Sequence, residues 1–139
     1  MIEIKPCSHC GSYPDIEVFR GGLLMEIFCA SEECSNQKHN KTIKLSNKFC
    51  DEYNPAFKEL IRRWNTGTAN NTIEIKRCKY CGQYPDIEVY NGGHILLIFC
   101  HSIGCPFHNS EKLKLLRKFK DEYISGVEEL IEHWNIAQS

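Results

Sequence analysis

The chain lacks three features that would each place it in a familiar class. No apolar run approaches the roughly 20 residues that a membrane-spanning helix needs, so no membrane association is expected. No basic surplus exists either: 17 Lys and Arg stand against 18 Asp and Glu, a formal charge of −1. That removes the usual electrostatic basis of nonspecific DNA binding, and it is too weak an excess for a wholesale acidic mimic of DNA. No signal peptide precedes the first cysteines, and the nine cysteines cannot all pair. An odd count without an export signal points to a reducing cytoplasm. What remains, 42% hydrophobic and 25% charged, is the composition of a globular chain.

Eight of the nine cysteines form one pattern written twice. Cys7-x2-Cys10-x18-Cys29-x4-Cys34 recurs as Cys78-x2-Cys81-x18-Cys100-x4-Cys105, displaced throughout by 71 residues. A tetrahedral metal ion takes four thiolates from two short turns, and an 18-residue spacer is long enough for a hairpin to bring the turns together. Disulfides would use the same residue type, but cysteines separated by two residues are awkward partners. Each CxxC also runs into glycine, at Gly11 and Gly82, as suits a tight knuckle whose backbone N–H groups point at sulfur. The ninth cysteine, Cys50, faces Lys120 in the second copy and belongs to neither quartet. Two structural zinc ions per chain are therefore expected, and zinc is preferred over iron because the second turn is Cx4C rather than another CxxCG. With zinc bound, each four-thiolate site carries a charge of about −2 and the chain sits near about −5. Four protein ligands leave no position open for water or substrate, so an enzyme is not expected. Histidines at positions 9, 39, 94, 101, 108 and 133 do not repeat between the copies at constant spacing and read as surface residues.

The repeat extends well beyond the cysteines. IEIK, YPDIEV and IFC recur at the same offset, whereas KFCDEY against KFKDEY and the two Trp-Asn pairs recur at an offset of 70. The chain is read as module 1 at residues 1–65, a small polar linker at 66–72, and module 2 at residues 73–139. In each module a β-hairpin turns at paired glycines, Gly21-Gly22 or Gly92-Gly93, and its second strand ends in Cys29 or Cys100. A third strand is expected at Thr42 to Leu45 and at Lys112 to Leu115, with Ile43, Leu45, Leu113 and Leu115 inward and Lys44 and Lys114 outward. A C-terminal helix follows, marked by Phe57, Leu60, Ile61 and Trp64 and by Val127, Leu130, Ile131 and Trp134 at i, i+3, i+4 and i+7. Asn54 before Pro55 and a capping box at Ser125 and Glu128 mark the expected starts, and Asn65 and Asn135 the ends. The fold class is small α+β: tandem zinc-ribbon modules, each a short antiparallel sheet with one helix. A module of this size has a marginal apolar core, which gives a structural metal a clear energetic role.

The succession of CxxCG knuckle, glycine-turned hairpin, further cysteine, strand and helix ending in Trp-Asn resembles the Lar family of restriction-alleviation zinc ribbons. Cys7, Cys10, Gly11, Cys29, Cys34, Trp64 and Asn65 carry the resemblance, and so do Cys78, Cys81, Gly82, Cys100, Cys105, Trp134 and Asn135. The chain departs from the family in its duplication, in lacking a proline between the first cysteines, and in the wider Cx4C spacing. The resemblance implies a phage-encoded protein that acts in the host cytoplasm and inhibits or modulates a bacterial restriction or CRISPR-type defence complex by protein contact. The alternative is a nucleic-acid-binding zinc ribbon. Its support is Lys38, Lys41, Lys44 and Lys48, then Lys112, Lys114, Arg117, Lys118 and Lys120, with Arg62 and Arg63. A partner is to be sought where the copies differ: Arg20 against Asn91, Leu23 against His94, residues 30–33 against 101–104, and Arg62-Arg63 against Glu132-His133.

Overall fold

A computed structural model of the chain describes residues 2–29, 31, 34, 42–46, 53–65, 74–100, 102, 105, 114–116 and 122–138. The first half contributes β1 (Asp15–Phe19), β2 (Leu24–Phe28), β3 (Thr42–Ser46) and α1 (Tyr53–Asn65). The second contributes β4 (Asp86–Tyr90), β5 (Ile95–Phe99), β6 (Lys114–Leu116) and α2 (Tyr123–Ala137). Strict alternation sets the strand faces: Ile16, Val18, Met25 and Ile27 are buried, and so are Ile87, Val89, Leu96 and Ile98. The linker at 66–72, Leu113, Cys50, the histidines at 39, 101 and 108, and the basic residues at 38, 41, 48, 112, 117, 118 and 120 lie outside the described residues.

The two halves share one antiparallel sheet of order β3-β2-β1-β4-β5-β6. At its centre β1 pairs with β4, its own copy: Ile16 faces Val89, Glu17 faces Glu88 and Val18 faces Ile87. Because IEV meets IEV in antiparallel register, the sheet has a pseudo-twofold axis at Glu17 and Glu88. The same self-complementary geometry joins identical subunits in a twofold dimer. Both helices lie on the Ile16–Val18 face, where their stripes close a single core that includes Phe57, Leu60, Ile61, Val127, Leu130, Ile131 and the two tryptophans. No helix among the described residues is long and apolar enough to cross a membrane.

Reciprocal contacts lock the halves around that axis. Tyr53, in the first turn of α1, donates its buried hydroxyl to Pro85 O at 2.8 Å and stacks on Tyr84 with ring centroids 4.5 Å apart. Tyr123, in the first turn of α2, does the same with Pro14 O at 2.7 Å and with Tyr13 at 4.4 Å. Asp86 accepts from Gly21 N at 2.9 Å and Asp15 from Gly92 N at 3.0 Å. Each tyrosine also lies on a glycine of its own half. A Cβ on Gly22 or Gly93 would stand 2.2 Å from Cδ2 of Tyr53 or Tyr123.

The Trp-Asn pair at each helix end has a defined task. Trp64 Nε1 donates to Lys5 O at 2.7 Å, Asn65 Nδ2 donates to Glu3 O at 2.7 Å, and Asn65 Oδ1 accepts from Lys5 N at 2.8 Å. Trp134 and Asn135 bind Lys76 O, Glu74 O and Lys76 N in the same way. Each pair thus pins the extended segment that leads into the first knuckle, while the tryptophan ring fills the core.

Some expected boundaries are corrected. α1 is described from Tyr53 and α2 begins at Tyr123, so both first turns carry a tyrosine clasp. Asn54 does not cap α1; its amide pairs with both N and O of Ile75 at 2.8 and 3.0 Å. Ser125 and Glu128 form no capping box, since the Ser125 hydroxyl donates to Glu122 O and Glu128 accepts from Ile2 N at 3.0 Å. α2 runs past Asn135 to Ala137. β6 is described over Lys114–Leu116, the expected start at Lys112 lying outside the described residues, and Ile43, Leu45 and Leu115 do face the core.

The glycine positions separate two kinds of cost. Gly82 has φ +76 and nothing within 4 Å of an added Cβ, so Gly82→Ala should cost only the left-handed backbone penalty of about 1 kcal/mol. Gly93→Ala adds the collision with Tyr123 and should cost about 2 kcal/mol more. Urea denaturation of the zinc-loaded chain measures both, and equal costs would contradict the Tyr123 packing. Asn65→Ala should lose about 2 kcal/mol by the same method, through two backbone groups left unpaired.

Candidate metal centres

Each quartet is built from a knuckle and the far end of its hairpin. In the first knuckle Gly11 N donates to Cys7 O at 2.9 Å and Cys7 N donates to Ser12 O at 2.7 Å; in the second, Gly82 N donates to Cys78 O and Cys78 N to Gln83 O at 2.8 and 2.7 Å. These bonds fold CxxCG tightly enough for its two sulfurs to face one point. β2 and β5 then deliver Cys29 and Cys100 directly after their last residues. Cys34 and Cys105 complete the sets, the latter turned inward by a bond from its N–H to Ser102 O at 3.2 Å.

All eight sequence-predicted ligands come together. Cys7, Cys10, Cys29 and Cys34 form one cluster and Cys78, Cys81, Cys100 and Cys105 the other, with the sulfurs of each within 4.8 Å of one another. The shortest separations are 3.5 Å for Cys7–Cys34, 3.4 Å for Cys10–Cys29, 3.4 Å for Cys78–Cys105 and 3.1 Å for Cys81–Cys100. A disulfide requires about 2.05 Å, so these are not bonded pairs. A tetrahedral ion with metal–sulfur bonds of about 2.3 Å needs sulfur–sulfur edges of about 3.8 Å. The observed spacing is close to that and compatible with two zinc ions. Among the described residues no histidine joins either cluster.

The surrounding polar groups suit anionic sulfur. Backbone N–H groups bind Cys10 from Ser12, Cys29 from Ser31, Cys81 from Gln83 and Cys100 from Ser102, and Cys78 accepts from two knuckle amides. Burial raises the Cys10 thiol, but the Ser12 N–H and hydroxyl with bonds from Cys29 and Cys34 bring it down to about 6. Cys81 behaves alike: burial opposes ionisation, and bonds from Cys100, Gln83 and Ser102 outweigh it, giving about 7. Burial, reinforced by bonds from Cys10 and Cys7, pushes Cys29 up to about 11. Cys34 and Cys100 are likewise pushed up by burial and then by neighbouring thiols, and Cys78 chiefly by burial. Without a cation, mutual repulsion thus sets a ready thiolate against reluctant neighbours. A divalent cation removes the conflict by neutralising the shared charge.

Position in the fold explains what the sequence did not reveal. The amides of Ser12, Ser31, Gln83 and Ser102 carry no side-chain signature, although the glycine closing each knuckle is their indirect sign. No protein-family model, curated protein or solved structure matches the chain. The chemistry of the site therefore rests on its donor set and geometry.

Ligation requires thiolates, so metal binding must displace protons and weaken as pH falls. Zinc affinity in a competition assay with a chromophoric chelator should drop steeply between about pH 8 and pH 6. An affinity that is flat across this range would contradict ligation by four thiolates. Chelation at neutral pH should also lower the denaturation midpoint, because each cluster joins the two ends of a hairpin-bearing segment.

Proposed function

We propose that the chain is a tandem zinc-ribbon protein of phage type that binds a bacterial restriction or CRISPR-type defence complex and inhibits or modulates it by protein–protein contact. The observation that carries this reading is the linkage of the resemblance's separate marks into one mechanical unit. The Trp-Asn helix end holds the segment entering the knuckle, and the knuckle and hairpin end hold four sulfurs together. Residues scattered along the sequence thus serve one small scaffold, present twice. Such a scaffold uses its metals for stability and leaves recognition to its surface.

Charge also favours a protein partner over nucleic acid. Among the basic residues invoked for nucleic-acid binding, Arg62 is doubly bonded to Glu59 at 2.7 Å, Arg63 donates to the same carboxylate at 2.8 Å, and Lys44 pairs with Glu26 at 3.3 Å. The two arginines hold the Glu59 carboxyl down to about 2, so it stays ionised at any physiological pH. On α2 and at its N-cap the corresponding surface gathers Glu122, Glu128, Glu129 and Glu132. We place the protein in the host cytoplasm and assign it no catalytic step, since four thiolates at each centre would leave no coordination position for substrate.

Capture from bacterial lysate on the immobilised zinc-loaded chain tests the reading. A protein retained at moderate salt, whose defence activity changes when the chain is added back, is the expected result. Recovery of nucleic acid alone, released by added salt, would contradict it.

A further inference from the structure

The sheet face turned away from the helices holds residues that the core leaves out. Register places Glu26, Glu17 and Glu88 side by side on β2, β1 and β4. Beyond Glu26 the row continues to Lys44, and beyond Glu88 to Leu97 and Lys114. Six aromatic and aliphatic side chains flank this row, Phe28, Tyr90 and Ile95 on one side and Leu24, Phe19 and Phe99 on the other, with the buried Asp15 and Asp86, bonded to Gly92 N and Gly21 N, set among them. All six are half-buried and none belongs to the core cluster. No helix or strand among the described residues packs on them.

Among the described residues the charges at the middle of this face are not balanced. Lys44 pairs with Glu26 and the Tyr90 hydroxyl donates to Glu88, but Glu17 between them has no ion pair or hydrogen bond among the described residues. Like charges directly opposed on neighbouring strands cost stability. Glu17 meets this on both sides, from Glu26 and from Glu88. Partial burial, then the fields of Glu26, Glu88 and Asp15, hold its carboxyl above the usual range. Both copies nevertheless carry glutamate here, where a neutral polar residue would relieve the repulsion.

We propose that this face is the docking surface for a protein partner that sets a basic side chain, framed by apolar ones, on the Glu17–Glu88 centre. The inference rests on the protein-partner reading above and names the surface and chemistry of that contact. An arginine fits best, since its planar fork can bridge two carboxylates. The flanking aromatic and aliphatic side chains supply area, and the acidic row supplies orientation and selectivity. Nucleic acid and anionic lipid are repelled by the same row. A second copy stacked face to face brings glutamates onto glutamates, so self-association is disfavoured.

The test uses the full zinc-loaded chain and a phage-displayed library of random peptides. Selected peptides should carry arginine or lysine between apolar residues, and their affinity should fall about tenfold or more on Glu17→Gln/Glu88→Gln. The same variant should have a denaturation midpoint equal to or above that of the parent, because it removes repulsion, so lost binding cannot be ascribed to lost folding. Glu17→Gln alone carries the same expectation should the double variant fail to fold. Lys58→Glu, on the helix side, should leave binding unchanged. Selected peptides without basic residues, or equal affinity for the parent and E17Q/E88Q, would overturn the proposal. In the lysate capture, a protein retained equally by the parent and E17Q/E88Q would overturn the surface and leave the protein-partner reading intact. Recovery of nucleic acid alone would end that reading itself.

Discussion

Eight thiols held in two groups, with sulfurs no more than 4.8 Å apart, are the constraint on which the rest of the structure depends. Thiolates at that distance repel, and thiols held in buried sites forgo better solvation. A shared cation would make the arrangement favourable. Such an ion would tie the knuckle to the end of its hairpin, hold β1 and β2 in register from one side, and give the segment pinned by Trp64 or Trp134 a fixed exit. The metal centres and the Trp-Asn anchors therefore act on the same short stretch from opposite ends.

The two halves complete one another. Each ends in a β-strand whose edge would be open, and β1 and β4 close each other's edge by pairing with their own copy. The tyrosine clasps extend this exchange into the core, since each helix start is fixed by a carbonyl of the other half. The consequence is one continuous sheet with helices on one face. Among the described residues no helix lies on the opposite face, where Glu17 and Glu88 bring one carboxylate from each half to the centre.

Much of this was legible from side-chain pattern alone. The cysteine spacing gave both clusters, alternation gave the hairpins, and the 3.6-residue stripe gave the buried face of each helix, tryptophans included. What escaped was whatever depends on backbone groups or on contacts between the halves. Asn54 has the look of a helix cap, yet it serves Ile75, a residue in the other copy. Asn65 does end α1, but nothing in the sequence shows that its amide also clamps residues 3–5. Arg20 and Asn91 differ as residues but hold the same positive φ, 53 and 54, in equivalent turns, so that difference is absorbed by the backbone. The β1–β4 pairing could not be read either, because a strand with one polar face gives no sign of which edge will meet it.

Mass measurement of the intact chain under native and then denaturing conditions tests the central claim most directly. The account predicts two zinc ions bound natively, lost on denaturation, with every cysteine of the two quartets then free to alkylate. A native chain without metal, whose quartet cysteines resist alkylation because they are joined as disulfides, would contradict it.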